Sequence, residues 1–584
     1  MPRSRRLTVA ALLAGGLAVY ASLAVSSMRT TSAYYDETAH LPAGYTYLTL
    51  RDFRMNPEHP PLAKELAALP LLLLDVRSRT GLPAWQLGQE WEFGHRFLYQ
   101  WNDADRLLFW GRLPVVALGC VLAAAVFLWT RQRFGLRAGV MALFLCVLSP
   151  DVLAHGQIVT TDLAVALFVF LSVIAFEAVT ERLTPSRVLL AGLATGAALA
   201  SKFSALVLVP ILIALAAIVA LSSWPLSVAR HRAPPRALTG TASRLAALAL
   251  VLLAIATIAL AFVWSTYAFQ PRLANDPEAA ASLSWSRLER PGAATAILRA
   301  IHAVGVLPDA YVYGLAIVLR DTEGRPAFLF GRISEQGWWY YFPATFLLKT
   351  PLALLGLLAL PLLGRRDTDE RRRRALVFLW VPVALYVATT LTRHMNIGHR
   401  HLLPIYPFLF VGAGAAAARV METNRPARVA VMALALWYAV SVVHVHPHYL
   451  GYFNELAGGP SRGWQYLVDS NVDWGQDLKA LKEWTDAHGV THLKLSYFGS
   501  ADPGYYRIPC AMLPSKMHPD PDRITRDIQP GDTVAVSVTN LQGVYFEGAD
   551  RHLMNHLRAL TPIDRVGYSI FVFRMDSPAP AAPP

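Results

Sequence analysis

RSRRLTVAALLAGGLAVYASLAVSSMRTTSAYYDETAH, residues 3–40, decides how the rest of the chain is read. Arg3, Arg5 and Arg6 precede an uncharged apolar run at 7–27, and Tyr34-Tyr35-Asp36-Glu37-Thr38-Ala39-His40 follows soon after it. A helix rises ~1.5 Å per residue, so about 20 apolar residues cross the ~30 Å hydrocarbon layer. A cleaved signal peptide starts in the same way, with a basic segment before an apolar one. This run is longer than a usual signal core and further runs follow it, which favours a retained helix. Asp36 then falls just past the membrane surface.

Working outward, similar runs recur at 107–130, 138–154, 162–179, 188–202, 204–222, 245–268, 341–363, 375–391, 404–420 and 429–445. With the first, that predicts eleven membrane helices. The 188–202 run is short and holds Gly192 and Gly196, so a tilted or partly re-entrant segment is expected there. Composition agrees. Of 584 residues 54% are apolar and 16% charged, against about 25% charged in soluble domains. Mean hydropathy is +0.36. A soluble multidomain protein, a disordered chain and a disulfide scaffold are excluded on these numbers. Cys120 and Cys146 lie in apolar runs and Cys510 is alone, so no cysteine framework follows. The net charge of +13 is spread over short loops rather than one face, which argues against nucleic acid as a partner.

The basic loops orient the chain. Arg131, Arg133 and Arg137; Arg182 and Arg187; Arg230, Arg232, Arg236 and Arg244; Arg365, Arg366 and Arg371 to Arg374; and Arg425 and Arg428 all fall on the side of the N-terminus. By the positive-inside rule that side is cytoplasmic. Residues 1–445 are then a transmembrane domain with large outer loops at 28–106 and 269–340. Residues 446–584 are an extracytoplasmic α/β domain, with a helix at 475–488 and strands at 492–498, 532–538 and 567–573. A Pro/Ala fray closes it at Ser577 to Pro584.

Several polar residues gather on the outer side. Asp36 and His40 are four apart, so they share a face if a helix starts here. Asp36 also suits the cap of that helix. Asn56-Pro57-Glu58-His59-Pro60-Pro61-Leu62 places two metal-capable side chains on a proline-stiffened turn, or simply two solvated ones. Asp162 ends His155-Gly156-Gln157-Ile158-Val159-Thr160-Thr161-Asp162 at the mouth of the fourth run, where a carboxylate needs a partner or marks a helix start. All seven lysines map to the outer half, and Lys64, Lys202 and Lys349 flank apolar runs. With Arg400 they form a set of cations suited to a phosphate, or long side chains snorkelling to the interface. His444, His446 and His448 alternate as metal ligands can, although Pro447 breaks the regularity. Asp469-Ser470-Asn471-Val472-Asp473-Trp474-Gly475-Gln476-Asp477 lacks the spacing of a calcium loop and also suits a capped helix start, with Trp474 free to stack on a sugar.

Taken in order, Tyr35-Asp36-Glu37 with His40, Asn56 to Leu62, Thr161-Asp162, Asn396-Ile397-Gly398-His399-Arg400-His401-Leu402-Leu403-Pro404, Tyr452-Phe453-Asn454-Glu455 and Asp469 to Asp477 resemble the GT-C-fold, lipid-carrier-dependent glycosyltransferases. That group includes protein O-mannosyltransferases, aminoarabinose transferases and RgtA/B/C/D-like enzymes. The resemblance implies an inverting glycosyltransferase of the cell (inner) membrane, with a polyprenyl-phosphate-linked sugar donor and an acceptor the sequence does not name. It implies catalytic roles for Asp36 as general base, and for Glu37 and Asp162. It implies donor-phosphate binding by Arg400, Lys202, His59 and Lys349, and admits a divalent metal at Glu58. Relatives often carry lysine where His59 stands, and this chain departs from them there. The rival readings are a transporter or lipid flippase, which would put ionisable residues near the bilayer midplane, and a non-catalytic scaffold.

Overall fold

Every apolar run is helical among the described residues, because a chain in hydrocarbon satisfies its backbone only within itself. The structure is a computed structural model and describes residues 3–230, 233–276, 293–321, 324–360, 369–392, 394–516 and 524–576. Arg232, Arg365, Arg366, Arg393 and the tail Ser577 to Pro584 lie outside these.

The eleven runs are not alike. Eight helices among the described residues are long and apolar enough to cross a membrane: Arg6–Thr30, Ala104–Phe134, Asp162–Glu181, Phe203–Leu221, Thr241–Thr266, Glu370–Thr390, His399–Val420 and Arg425–Val445. A ninth run is broken into Tyr341–Lys349 and Leu352–Ala359, bent by 105°. The break falls at Thr350-Pro351, since proline lacks the N–H that would continue the helix and turns its predecessor out of the α region. The other two are shorter apolar helices, Leu136–Val147 and Pro185–Leu199. In the second, Gly192 and Gly196 form a small-residue face one turn apart. A Cβ on Gly192 would lie 2.6 Å from Ile258 Cβ, so the two helices pack closer than larger residues allow.

The basic ends meet at one end of the bundle. Arg133 pairs with Glu177 at 3.0 Å and Glu181 at 2.6 Å. Arg374 Nη2 donates to Thr180 Oγ1 at 2.8 Å, and Arg244 Nη1 to the Ser222 carbonyl at 2.7 Å. The stretches 31–40, 155–162, 200–203 and 396–400 lie at the opposite end.

Residues beyond 446 cover that opposite end. Helix Leu478–Ala487 buries Leu478 and Leu481. It leads into a five-stranded sheet ordered 510–512, 493–496, 533–537, 570–574, 564–566. The first three strands are parallel and the last two antiparallel to their neighbours. The strand expected at 567–573 is instead the second arm of a hairpin, Asp564–Val566 and Ile570–Arg574, with Gly567 at φ +57° in its turn. Segments between the membrane helices tie the sheet region down. Tyr505 and Tyr506 donate to Asp103 at 2.9 Å and Asp105 at 3.0 Å, and Phe330 N donates to the Tyr466 carbonyl at 3.0 Å.

Candidate active site

The first helix ends at Thr30, and the chain continues without regular structure to Tyr34. That segment is pinned by main-chain hydrogen bonds from Ser32 N to the Gln476 carbonyl (3.0 Å) and from Tyr35 N to the Trp474 carbonyl (2.8 Å). Asp36 then precedes helix Glu37–Leu50 in the cap position, yet its side chain accepts no cap hydrogen bond. The carboxylate turns instead to Arg400, with Oδ2 3.0 Å from Nη1.

Arg400 lies in a tight helical turn, His399–Ile405, at the head of a buried span. Its Nη1 also reaches Asp162 Oδ2 at 3.5 Å, and Lys202 Nζ lies 2.5 Å from Asp162 Oδ1. Asp162 is the first residue of helix Asp162–Glu181, where the unpaired N–H groups favour negative charge. The structure therefore brings Asp36, Asp162, Lys202 and Arg400 into one chain of alternating charge. The two acids differ in access. The Asp162 side chain is 2% exposed and that of Asp36 18%, so Asp36 is the one an incoming group can reach. Trp474 closes the cluster from the outside, its ring centre 4.1 Å from the Arg400 guanidinium carbon. It does not offer its face to a sugar.

His40 stands beside this group. Its Nδ1 lies 3.0 Å from the Val159 carbonyl, which fixes the proton on Nδ1. Burial lowers its pKa to about 4 against the opposing pull of Asp36, so the ring is neutral.

Other expected residues sit elsewhere. Glu37, read as catalytic, is fully buried and saturated. Arg112 donates to both its oxygens, at 2.9 and 2.5 Å, and the Tyr34 and Val159 amides each donate at 2.9 Å. No lone pair is left for a substrate. In this environment the carboxylate ties the loop at Tyr34 and Val159 to Arg112. His59, read as a phosphate ligand, packs edge-on to His40 with ring centres 5.3 Å apart. Burial, then His40 and Lys202, holds its pKa well below the usual range, so it supplies no cation. Lys349 spends two of its three donors on the Leu450 carbonyl at 2.8 Å and the Asn471 carbonyl at 2.5 Å. It anchors the C-terminal segment rather than joining Arg400.

Glu58 accepts from Asn56 Nδ2 at 3.1 Å. Burial and nearby acids raise its pKa and that of Glu90, which lies beside it. No group of three or more His, Cys, Asp or Glu is arranged for a metal ion among the described residues. His446 and His448 likewise diverge, toward Tyr449 at 2.9 Å and Asp477 at 3.5 Å.

Sequence reasoning passed over three features. Arg112 is a lone arginine inside an apolar run, and an ionisable group there was itself a signal. Next to Asp36, Lys516 Nζ lies 3.6 Å from the Tyr545 ring centre, and the Phe498 ring stacks on Tyr545 at 5.7 Å and on Tyr35 at 5.4 Å. Burial lowers the Arg325 pKa, but Tyr545, Asp469 and Asp36 around it hold it above the usual range. Tyr35, Arg325 and Lys516 come from three separate segments, and no periodicity in the sequence links them. Trp474 as the partner of Arg400 is the third feature.

Residues 106–231 match the family model for dolichyl-phosphate-mannose-protein mannosyltransferase. No curated protein sequence matches the chain. Among solved structures, it is similar to ArnT from Cupriavidus metallidurans bound to undecaprenyl phosphate, at 13% identity and a TM-score of 0.45, covering 97% of each chain. It is also similar to the Archaeoglobus fulgidus oligosaccharyltransferase in its apo form, at 13% identity, a TM-score of 0.46 and 85% and 63% coverage of this chain and that one. For the S. cerevisiae protein O-mannosyltransferase Pmt1-Pmt2 complex bound to the sugar donor, identity is 15%, the TM-score 0.31 and coverage 45% and 33%. The family-model match is local, confined to residues 106–231 of the 584.

Proposed function

We propose that this protein is an inverting glycosyltransferase that moves a sugar from a polyprenyl-phosphate carrier to an acceptor hydroxyl or amine on the extracytoplasmic side. The observation that carries the reading is the accessible Asp36 carboxylate held 3.0 Å from Arg400 at the mouth of the bundle. Asp36 takes the proton from the acceptor O–H or N–H. The acceptor atom forms its bond to the anomeric carbon from the face opposite the carrier. The bond from that carbon to the phosphate oxygen breaks, and its electron pair leaves with polyprenyl phosphate. Negative charge grows on the phosphate as the bond breaks, and cations already in place stabilise it most. Arg400 and Lys202 fill that role. Asp162 holds both in position by its contacts at 3.5 and 2.5 Å. The carrier's tail remains in the bilayer throughout.

The test is sugar transfer or donor hydrolysis in proteoliposomes supplied with a panel of undecaprenyl-phosphate-linked sugars. One of them should be turned over by the native protein. Arg400→Gln and Lys202→Gln should each lower turnover about 100-fold, in line with the loss of a preorganised donor. A native protein that moves every carrier across the bilayer with its sugar still attached would replace this reading with the flippase.

The sidedness is tested separately. Ala487 is exposed at the end of helix Leu478–Ala487. In a Cys510→Ser background, Ala487→Cys should react with a membrane-impermeant maleimide added to intact spheroplasts. Labelling only after lysis would place Asp36 on the wrong side for this chemistry.

A further inference from the structure

We infer that residues 469–476 clamp the two halves of the carrier-phosphate site together, and that Trp474 is the positioning residue for the Arg400 guanidinium. The inference rests on the reading of Arg400 as a phosphate ligand.

A planar guanidinium binds an anion well only if its plane is fixed. Hydrogen bonds do little of that here. Nη1 makes both carboxylate contacts, at 3.0 and 3.5 Å, and Nε is buried without a hydrogen-bond partner. What remains is the indole of Trp474, stacked 4.1 Å away and itself 2% exposed. Tyr34 and His155 lie edge-on to the indole, each 6.3 Å away. The stack sets the plane and leaves the fork open for an oxygen anion.

The same run reaches both catalytic stretches. On one side the Trp474 carbonyl receives the Tyr35 amide at 2.8 Å, next to Asp36. On the other, Asn471 Oδ1 receives the His399 amide at 2.8 Å, and Ser470 Oγ donates to the Ile397 carbonyl at 2.9 Å, next to Arg400. Gly398 permits that approach, because a Cβ there would come within 2.3 Å of Ser470 Oγ. The separation of Asp36 from Arg400 is thus set by residues that belong to neither segment.

The test is binding of undecaprenyl phosphate in detergent, compared across native protein, Trp474→Phe, Trp474→Leu, Arg400→Gln and the Arg400→Gln/Trp474→Leu pair. Loss of a desolvated cation–π stack should weaken binding about tenfold in Trp474→Leu. Trp474→Phe keeps a ring and should stay within about threefold. In the Arg400→Gln background, Trp474→Leu should cost nothing more, whereas a merely structural role would subtract again. Trp474→Met, of closer bulk, replaces Trp474→Leu where the latter does not fold, with the same expected loss. Native binding by Trp474→Leu, or equal loss in Trp474→Phe, overturns the inference while Arg400→Gln still loses affinity. If the native protein binds no undecaprenyl phosphate, or Arg400→Gln binds as well as native, the underlying reading of Arg400 fails and takes this one with it.

Discussion

Asp36→Asn should reduce sugar transfer about 10³-fold while leaving the protein folded, since a positioned general base contributes about 10²–10⁴ in rate. The substitution is close to isosteric, and the geometry isolates its effect. The Asp36 side chain makes no cap hydrogen bond, so helix Glu37–Leu50 loses no capping partner with it. Arg400 keeps its contact with Asp162 and its stack on Trp474. Removing a negative charge 3.0 Å from Arg400 favours an anionic ligand, so undecaprenyl phosphate should bind as well as before or more tightly. The signature is therefore a fall in kcat with no loss of carrier affinity. His40 does not rescue the step, because burial holds its pKa at about 4 and its Nδ1 proton is committed to Val159. A folded Asp36→Asn protein that transfers sugar at the native rate would remove Asp36 from the chemistry.

Much of the transmembrane part was legible because hydropathy is a local property. Each apolar run could be read one at a time, and the side of each basic loop followed by counting. Asp36, Asp162, Lys202 and Arg400 were legible for a related reason: each lies a few residues from the end of a run, so topology alone brought them to one surface. Length misled only where chemistry interrupts a run. The break at Pro351 turns Leu352–Ala359 by 105° from Tyr341–Lys349, and hydropathy does not register it. Contacts across hundreds of residues left no mark at all. Ser32 and Gln476, or His399 and Asn471, pair through main chain and amide groups whose identity carries no periodic signal. The run 469–477 therefore read as a capped helix start or a sugar-stacking motif, although its first residues and Trp474 contact the segments that carry Asp36 and Arg400. Glu37 misled for the opposite reason. Adjacent to Asp36, it shares the acid chemistry, but successive residues in a helical turn point about 100° apart. One carboxylate turns to Arg400 and the other to Arg112 inside the bundle.

That second carboxylate carries the other large expected effect. Arg112→Leu should lower the thermal midpoint sharply, because removing one member of a buried pair costs about 3–5 kcal/mol. Arg112 also donates to the Met28 carbonyl at 2.8 Å and the Ser32 carbonyl at 2.7 Å, so the segment leading to Asp36 loses its support with the charge. Transfer should fall with stability. Glu37→Gln should be destabilised too, since its amide nitrogen would meet the Tyr34 amide or Arg112, donor against donor, in a fully buried site. The double change Glu37→Leu/Arg112→Leu removes both charges but still strands the Tyr34 and Val159 amides, each at about 1–3 kcal/mol. Its midpoint should therefore recover only part of the way toward native. The order expected is native, then the double variant, then Arg112→Leu. A catalytic Glu37 predicts a different pattern, with Glu37→Gln unfolding at the native temperature and yet transferring no sugar. That single outcome would return Glu37 to the reacting groups and leave the loop to be held by its main-chain pairing with 474–476.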